Sequence, residues 1–368
     1  MSPRRNSRLD SLRASPPDDC SWSVGTAPVT KEDSVRRISA LVSTAALATV
    51  LAATLVGCST GPSTDVDACA PLFAPGDASE LVDATGKVGS EPKVEFPAPL
   101  VSAKPERSVL VEGDGIVAST GMTVDFDAAI FDASTGDKLL ATKFDGSQGV
   151  RYRAGASSSS EGAEPGSLAD SLVCAQAGQR IAVTSTVLAS GLDFSSVGLG
   201  DDDTVVFVVD VQAVYLAKAD GANQLPKDGM PSVVTAPDGT PGITLPDGNP
   251  PSETRSSVIK AGSGEAIADG DNAVLNLSIW VWPTEGGEIS QPYTSWGKTP
   301  ITQPISEDPT GQEGVSKGVY DALLGAKVGS QVLVVVAPAD SYADGAWPSG
   351  TTAGDTLVYV IDVLGIQK

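Results

Sequence analysis

The chain contains an internal duplication, in which three sequence blocks of its middle part recur in its C-terminal part. The blocks occur in the same order, each about 150 residues from its partner. The paired blocks are Ser108–Gly121 with Ser257–Gly270, Ser171–Val183 with Ala322–Val334, and Asp203–Val211 with Asp355–Val363. Matches at so constant a spacing predict two copies of one folding unit.

Each copy has the pattern of an antiparallel sheet with one short helix. Met122–Phe131 alternates between two faces, as strands do. Gly166–Ala175 and Gly318–Lys327 each carry leucines ahead of a glycine that predicts a helix end. Val332–Val336 and Thr356–Val363 are rich in β-branched residues, which favours central strands. The sequence therefore predicts an α+β fold in which each of two domains wraps a sheet on one short helix.

The repeats also predict where the domains begin and end. We expect a leader with a signal peptide at 1–57 and a tether with a Pro-rich lead at 58–107. The first domain is expected at 108–217 and the second at 257–368. Between them, 218–256 is rich in Pro and Gly, which predicts a semi-rigid linker.

The N-terminal part has the features of an export signal. Arg36-Arg37 precedes the apolar run Ile38–Val56, and Gly57-Cys58 follows. This ending resembles the lipobox of bacterial, actinobacterial-type lipoproteins, which implies lipidation of Cys58 and a membrane anchor on the extracytoplasmic face. A membrane-spanning helix is the alternative, although no basic flank follows the run. Residues 1–34 are either a long leader or precede a start near Val35.

Cys69 and Cys174 remain once Cys58 is assigned to lipidation. Two thiols in an oxidising compartment favour a disulfide that pins the N-terminal segment to the first domain. The alternative is two buried free thiols.

The composition excludes several functional classes. The chain has no histidine, so neither a Ser/His/Asp triad nor a His-ligated zinc site is possible. Its formal net charge of −22 is the wrong sign for nucleic-acid binding and is typical of a soluble outward-facing surface. We expect no metal or other cofactor, and a monomer.

Three segments of the second copy resemble FKBP-type peptidyl-prolyl isomerases. Leu324–Gly329 is similar to the family's helix exit, Val336–Tyr342 to the segment that ends in its tyrosine, and Leu357–Tyr359 to its closing strand. The resemblance implies that proline-containing polypeptides bind in an aromatic pocket. The implied pocket residues are Tyr293, Val315, Ser316, Val319, Tyr342 and Tyr359, with Thr294 and Trp296 in the flap and backbone amides of Val315-Ser316 holding the substrate carbonyls.

The first copy retains less of the family pattern. Phe144, Asp145 and Phe207 are vestiges of the pocket, and either Ser167 or Leu168 takes the floor position. The second copy also departs from the family. It has Val319 in place of the floor tryptophan, Thr294 in place of a flap aspartate, and Leu277 in place of a strand tyrosine. These changes predict weak activity in the second copy and little in the first.

The resemblance therefore implies an extracytoplasmic prolyl isomerase that assists the folding of exported proteins. Proline isomerisation needs neither a nucleophile nor a metal, so the absence of histidine does not oppose it. Two alternatives remain open at this point. One is a non-catalytic FKBP-like module that binds polypeptides, and the other is a lipoprotein with a structural or adhesive role.

Overall fold

The computed structural model describes residues 63–145, 149–155, 168–284 and 287–368. The predicted signal peptide, the predicted lipidation residue Cys58 and the floor candidate Ser167 lie outside these ranges. All the described residues belong to one compact unit, Cys58–Lys368. Within these ranges, no helix has both the length and the apolar character needed to cross a membrane.

The described chain is rich in strands and poor in helix. The first copy and the segment before it comprise β1 (Asp83–Thr85), β2 (Lys93–Glu95), β3 (Glu106–Val111), β4 (Thr123–Asp132), β5 (Lys138–Ala141), β6 (Val150–Arg153), α1 (Leu168–Ser171), β7 (Arg180–Thr186), α2 (Val187–Ser190) and β8 (Thr204–Tyr215). The remaining elements are β9 (Ala222–Asn223), β10 (Ser232–Thr235), β11 (Pro241–Thr244), β12 (Arg255–Ala261), β13 (Asn272–Trp282), β14 (Ser290–Thr294), β15 (Ile301–Pro304), α3 (Lys317–Leu323), β16 (Gln331–Val336) and β17 (Thr356–Gln367).

The two large sheets share one strand order. The first runs β3-β7-β8-β4-β5, with β6 also paired to β4. The second runs β12-β16-β17-β13-β14, with β15 also paired to β13 and β9 added beside β12. All of these pairs are antiparallel. The repeated order agrees with the duplicated blocks, and the central positions predicted for β16 and β17 are confirmed.

Each copy packs its short helix on the inner face of its sheet. In the first copy Leu168 and Leu172 join a core with Phe126 and Phe207. In the second copy Val319 and Leu323 of α3 join the inner-face core. This is the antiparallel sheet with few short helices that the α+β prediction describes, whereas the division into two domains stays a prediction.

A small hairpin covers the outer face of each sheet. The pair β1–β2 lies over the first sheet, where Val82 and Phe96 pack against Phe131. The pair β10–β11 lies over the second sheet, where its residues pack against Trp280 and Trp282. The region 218–256 thus contains a hairpin that packs on the second sheet, so the prediction that the whole region is a semi-rigid spacer was wrong. Its prolines lie in and beside a hairpin that buries apolar side chains.

A buried ion pair holds the first hairpin on its sheet. Arg180 and Asp210 are fully buried and paired, with 2.6 Å between Nε and Oδ1. The Arg180 guanidinium also donates to the carbonyl oxygens of Gly86, Lys87 and Ser90 in the hairpin turn. One side chain thus satisfies three turn carbonyls and a carboxylate, which fixes the hairpin to the sheet.

The structure joins Cys69 to Cys174 by a disulfide, with 5.7 Å between the Cα atoms. The bond ties the segment before β1 to the loop after α1, which is the pairing expected for an oxidising compartment rather than the free-thiol alternative. Cys174 has φ of 64°, and Gly325 occupies the corresponding place in the second copy with φ of 78°. The duplicated helix exit therefore keeps the same left-handed turn in both copies.

Candidate functional site

A cavity of about 290 Å³ opens on the inner face of the second sheet. Its base is formed by β13 and β17, and its walls come from β14, β15, α3 and the connections around them. The side chains are mainly apolar. The lining residues are Leu275, Leu277, Ile279, Pro292, Tyr293, Ile301, Gln303, Gly311, Gly314, Val315, Val319, Tyr342, Pro348, Ser349, Tyr359 and Ile361.

Five of the six pocket residues predicted from the sequence line this one cavity. They lie on four separate parts of the chain and are Tyr293, Val315, Val319, Tyr342 and Tyr359. Tyr293 and Tyr359 lie on the same face of the sheet, because both are register partners of Ile279 in β13, one on each side of that strand. Val319 is on the first turn of α3, whose inward side packs on the same core.

The sixth predicted residue and the proposed backbone donors fit less well. Ser316 is fully buried behind Val315 and does not line the cavity. The Val315 N–H already donates to the Ser306 carbonyl oxygen at 2.9 Å. The expectation that this amide holds a substrate carbonyl was therefore wrong, because the loop that positions Val315 uses the donor itself.

The two predicted flap residues also lie outside the lining. The Thr294 hydroxyl is 2.8 Å from the Ser278 hydroxyl and accepts the Trp296 N–H at 3.2 Å. Trp296 is only 8% exposed, and a Cβ on Gly239 would come within 3.3 Å of its indole nitrogen. The structure buries Trp296 beside the turn of the outer hairpin, so the prediction of a flap role was wrong for Trp296, and the flap role of Thr294 stays a prediction.

A single carboxylate organises the loop that forms one wall. Asp308 accepts hydrogen bonds from the Thr310 hydroxyl and from the backbone N–H groups of Thr310, Gln312 and Glu313, at 2.7 to 3.1 Å. The Glu313 and Thr310 donors lower the pKa of Asp308 to about 2. The loop then presents Gly311 to the Tyr342 ring so closely that a Cβ would come within 2.9 Å of it.

The cavity contains a buried hydroxyl group beside that of Tyr342. Tyr359 is 3% exposed, and the polar group that its hydroxyl interacts with is the Tyr342 hydroxyl. Burial raises the pKa of Tyr359 well above its ordinary value, and the Tyr342 hydroxyl nearby adds to this shift. The Tyr359 hydroxyl therefore stays protonated, so it is a donor at the base of the cavity for an acceptor on a bound molecule.

Three buried polar atoms belong to sequence neighbours of lining residues. The Ser316 and Ser341 hydroxyls and the Trp347 indole nitrogen make no hydrogen bond within the described part of the chain. Each belongs to a neighbour in sequence of a lining residue, namely Val315, Tyr342 and Pro348. Arg107 and Gln179 of the first copy carry atoms of the same kind, so these groups do not by themselves mark the cavity.

Sequence reasoning missed part of the lining. Leu275 and Ile279 alternate along β13 with outward-facing residues, a signal that places them inward but not in a cavity. Pro292, Gln303 and Pro348 lie outside the blocks that carry the resemblance. Gln303 is held by its side-chain amide, which donates to the Gly314 carbonyl oxygen at 2.7 Å.

In the first copy the positions that correspond to Tyr359 and to the floor residue are packed core, whereas the position that corresponds to Tyr293 is exposed. Phe207 pairs with Ile130 as Tyr359 pairs with Ile279, and its ring contacts Phe194 at 6.5 Å between centroids. Leu168 is the residue that joins this core from α1. Leu140 pairs with Ile130 as Tyr293 pairs with Ile279, but it is 61% exposed.

The other two vestigial residues lie elsewhere in the first copy. Phe144 belongs to the outer-face core, and Asp145 follows it on the surface. The prediction that they mark a remnant of the pocket was wrong for Phe144, because its ring packs on the opposite face of the sheet from Phe207.

No protein-family model matches the chain, and no curated protein is significantly similar to it. Among solved structures it is similar to FkpA from Escherichia coli, with 23% identity, a TM-score of 0.26, and coverage of 38% of this chain and 53% of that chain. The three FKBP domains of wheat FKBP73 give 13% identity, a TM-score of 0.29 and coverage of 72% and 95%. A multi-domain immunophilin from Arabidopsis thaliana gives 18% identity, a TM-score of 0.26, and coverage of 33% of this chain and 48% of that chain.

Proposed function

We propose that this protein is an FKBP-type peptidyl-prolyl cis–trans isomerase whose active site is the cavity of the second copy. The observation that supports this most is the convergence of Tyr293, Val315, Val319, Tyr342 and Tyr359 on one apolar cavity. The family resemblance implies these residues, and they lie on four separate parts of the chain. Their meeting in one place is what a working pocket requires.

The chemistry suits the groups that are present. Rotation about an X-Pro bond crosses a barrier of about 18–20 kcal/mol through a twisted amide that has lost its conjugation. An apolar cavity that holds the proline ring lowers this barrier if its donors fit the twisted amide better than the planar one. The hydroxyls of Tyr342 and Tyr359 are the candidate donors, and burial keeps Tyr359 protonated.

We expect the activity to be weak. Val319 stands where the family has a tryptophan, so the floor offers tens of Å² less apolar contact to the proline ring. At about 25 cal/mol per Å², this loss weakens binding by roughly 1 kcal/mol or more. The same change favours the second candidate, a module that binds proline-containing polypeptides without accelerating isomerisation.

We also propose that the protein is a lipoprotein anchored through Cys58 on the extracytoplasmic face of the membrane. The signal-like run that ends at Gly57-Cys58 supports this. The Cys69–Cys174 disulfide agrees with an oxidising compartment. Its clients would then be exported polypeptides.

The test measures prolyl isomerisation of a short proline-containing peptide by NMR exchange spectroscopy, in the presence of the whole protein. We expect acceleration that falls roughly 2–10-fold in Tyr342→Phe, the effect of one lost hydrogen bond. Tyr320→Phe is the matched control, because that hydroxyl bonds Asp269 outside the cavity. Chemical-shift changes around the cavity without acceleration would favour the binding module. If the peptide causes no chemical-shift changes and is not isomerised faster, both functions are excluded.

A further inference from the structure

One wall of the cavity is a strand connection. Tyr293 at the end of β14 and Ile301 in β15 both line the cavity, and residues 295–300 join them. Both strands pair only with β13 within the described sheet. The position of this wall therefore depends on what supports the connection from its other side.

The first copy supplies two of these supports. The Arg153 guanidinium donates to the Lys298 carbonyl oxygen at 2.7 Å, and Arg151 Nη1 donates to the Thr302 hydroxyl at 2.7 Å. Both arginines are on β6, while both acceptors lie in the wall. Lys298 itself lies over the ring of the cavity residue Tyr293, with 5.8 Å from Nζ to the centroid.

Arg151 is itself held in place. Its Nε and Nη2 bind the two carboxylate oxygens of Asp125 at 2.5 and 2.6 Å, and its guanidinium lies 5.2 Å from the centroid of the Tyr215 ring. Tyr215 packs on Gly365 of β17 so closely that a Cβ there would come within 2.3 Å of the ring. A bidentate, stacked arginine has little freedom, so it can fix the group it contacts.

We infer that the first copy is a scaffold for the cavity of the second, in which Arg151 and Arg153 are positioning residues for the wall that carries Tyr293 and Ile301. The first copy has filled its own corresponding core with Phe194 and Phe207 and offers its β6 edge to the other copy. The activity part of this inference rests on the proposed function. The structural part does not.

The test uses the whole protein with Arg153→Met and Thr302→Val combined. These changes remove both wall contacts and leave the Arg151–Asp125 pair intact, so no buried charge loses its partner. We expect the KM for a proline-containing peptide to rise about 3–10-fold, with a smaller change in kcat, because the two lost hydrogen bonds hold the wall and only part of their free energy reaches peptide binding. Arg153→Lys with Thr302→Ser retains a donor and an acceptor and should restore KM. Lys138→Met, which breaks an exposed ion pair with Glu91, should not change it.

Hydrogen exchange provides a readout that does not need activity. The amides of residues 294–304 should exchange faster in Arg153→Met/Thr302→Val than in the original protein or in Lys138→Met. If the original protein shows no isomerase activity but this exchange difference appears, the scaffold stands and the proposed function fails. If exchange matches the Lys138→Met control, or if exchange rises while KM in an active protein is unchanged, the inference is overturned.

Discussion

At the residue scale, the buried carboxyl of Asp362 makes a prediction about pH. Asp362 accepts the Ala219 N–H and the Gln331 side-chain amide, each at 2.8 Å, but burial dominates and raises its pKa from 3.8 to about 6. The folded chain thus holds this proton more tightly than the unfolded chain. The stabilisation is complete below about pH 4 and is lost as the pH rises through about 6.

We therefore expect Asp362→Asn to remove part of the pH dependence. The difference of about two pH units corresponds to roughly 3 kcal/mol in the free energy of unfolding. Urea titrations of the two proteins at pH 4 and pH 7 measure it. The Asn variant should lose less stability than the original protein between these values. Asp137→Asn, at an exposed position, should behave like the original protein. If the free energy of unfolding changes equally between pH 4 and pH 7 in all three proteins, Asp362 is not the source of the pH dependence.

Individual residues also show which parts of the candidate site can be predicted from the sequence. Tyr342 and Val319 were found because they lie in motifs whose spacing also specifies the fold around them. Trp296 was misplaced because its burial depends on Gly239, in a segment that the repeats do not cover. Gln303 was missed because its role comes from a hydrogen bond to Gly314 in a separate loop. Contacts between segments without a motif left no signal.

At the element scale, the strands of both sheets were predictable and the hairpins over them were not. The large strands are 6 to 12 residues long where they form the sheet centres, and they alternate or are continuously apolar. The hairpin strands have only 3 or 4 residues, too few to show a period. A signal did exist in β13, where Trp280 and Trp282 face away from Ile279. A strand that is apolar on both faces must be covered on both.

The Arg180 ion pair allows the hairpin attachment to be tested. In the second copy Gln331 bonds Asp362 where the first copy has Arg180 and Asp210. Arg180→Gln copies that arrangement but leaves the three turn carbonyls without their donor. We expect a loss of about 3–5 kcal/mol in the free energy of unfolding, because one charge of a buried pair remains. Denaturant unfolding measures the loss, and amide exchange over 83–95 should rise with it.

Lys138→Gln is the control for that experiment. It removes an ion pair to Glu91 in the same hairpin, but both side chains are about half exposed, so the expected loss is below about 1 kcal/mol. Similar losses in Arg180→Gln and Lys138→Gln would show that the buried pair does not hold the hairpin.

At the scale of the whole molecule, duplication has produced two sheets with different interiors. The first interior is filled by aromatic rings, while the second keeps a cavity lined by the side chains of Tyr342 and Tyr359. The copies also touch directly, since the Leu216 N–H donates to the Leu364 carbonyl oxygen at 3.1 Å. That each copy folds by itself stays a prediction. The outer hairpin determines where a fragment that contains the second copy should begin.

We expect the fragment 257–368 to be much less stable than 218–368. The shorter fragment follows the repeat boundary but lacks β9, the β10–β11 hairpin and the first two residues of β12, which leaves the outer face of the second sheet uncovered. The side chains that lose their cover are Trp280, Trp282, Leu333, Val335, Val358 and Val360. Re-exposing even two of them costs about 3–6 kcal/mol, comparable with the whole stability of a small domain. Thermal unfolding and binding of a hydrophobic dye compare the fragments. Equal melting temperatures would mean that the hairpin adds nothing to folding and that the repeat boundary is also the domain boundary.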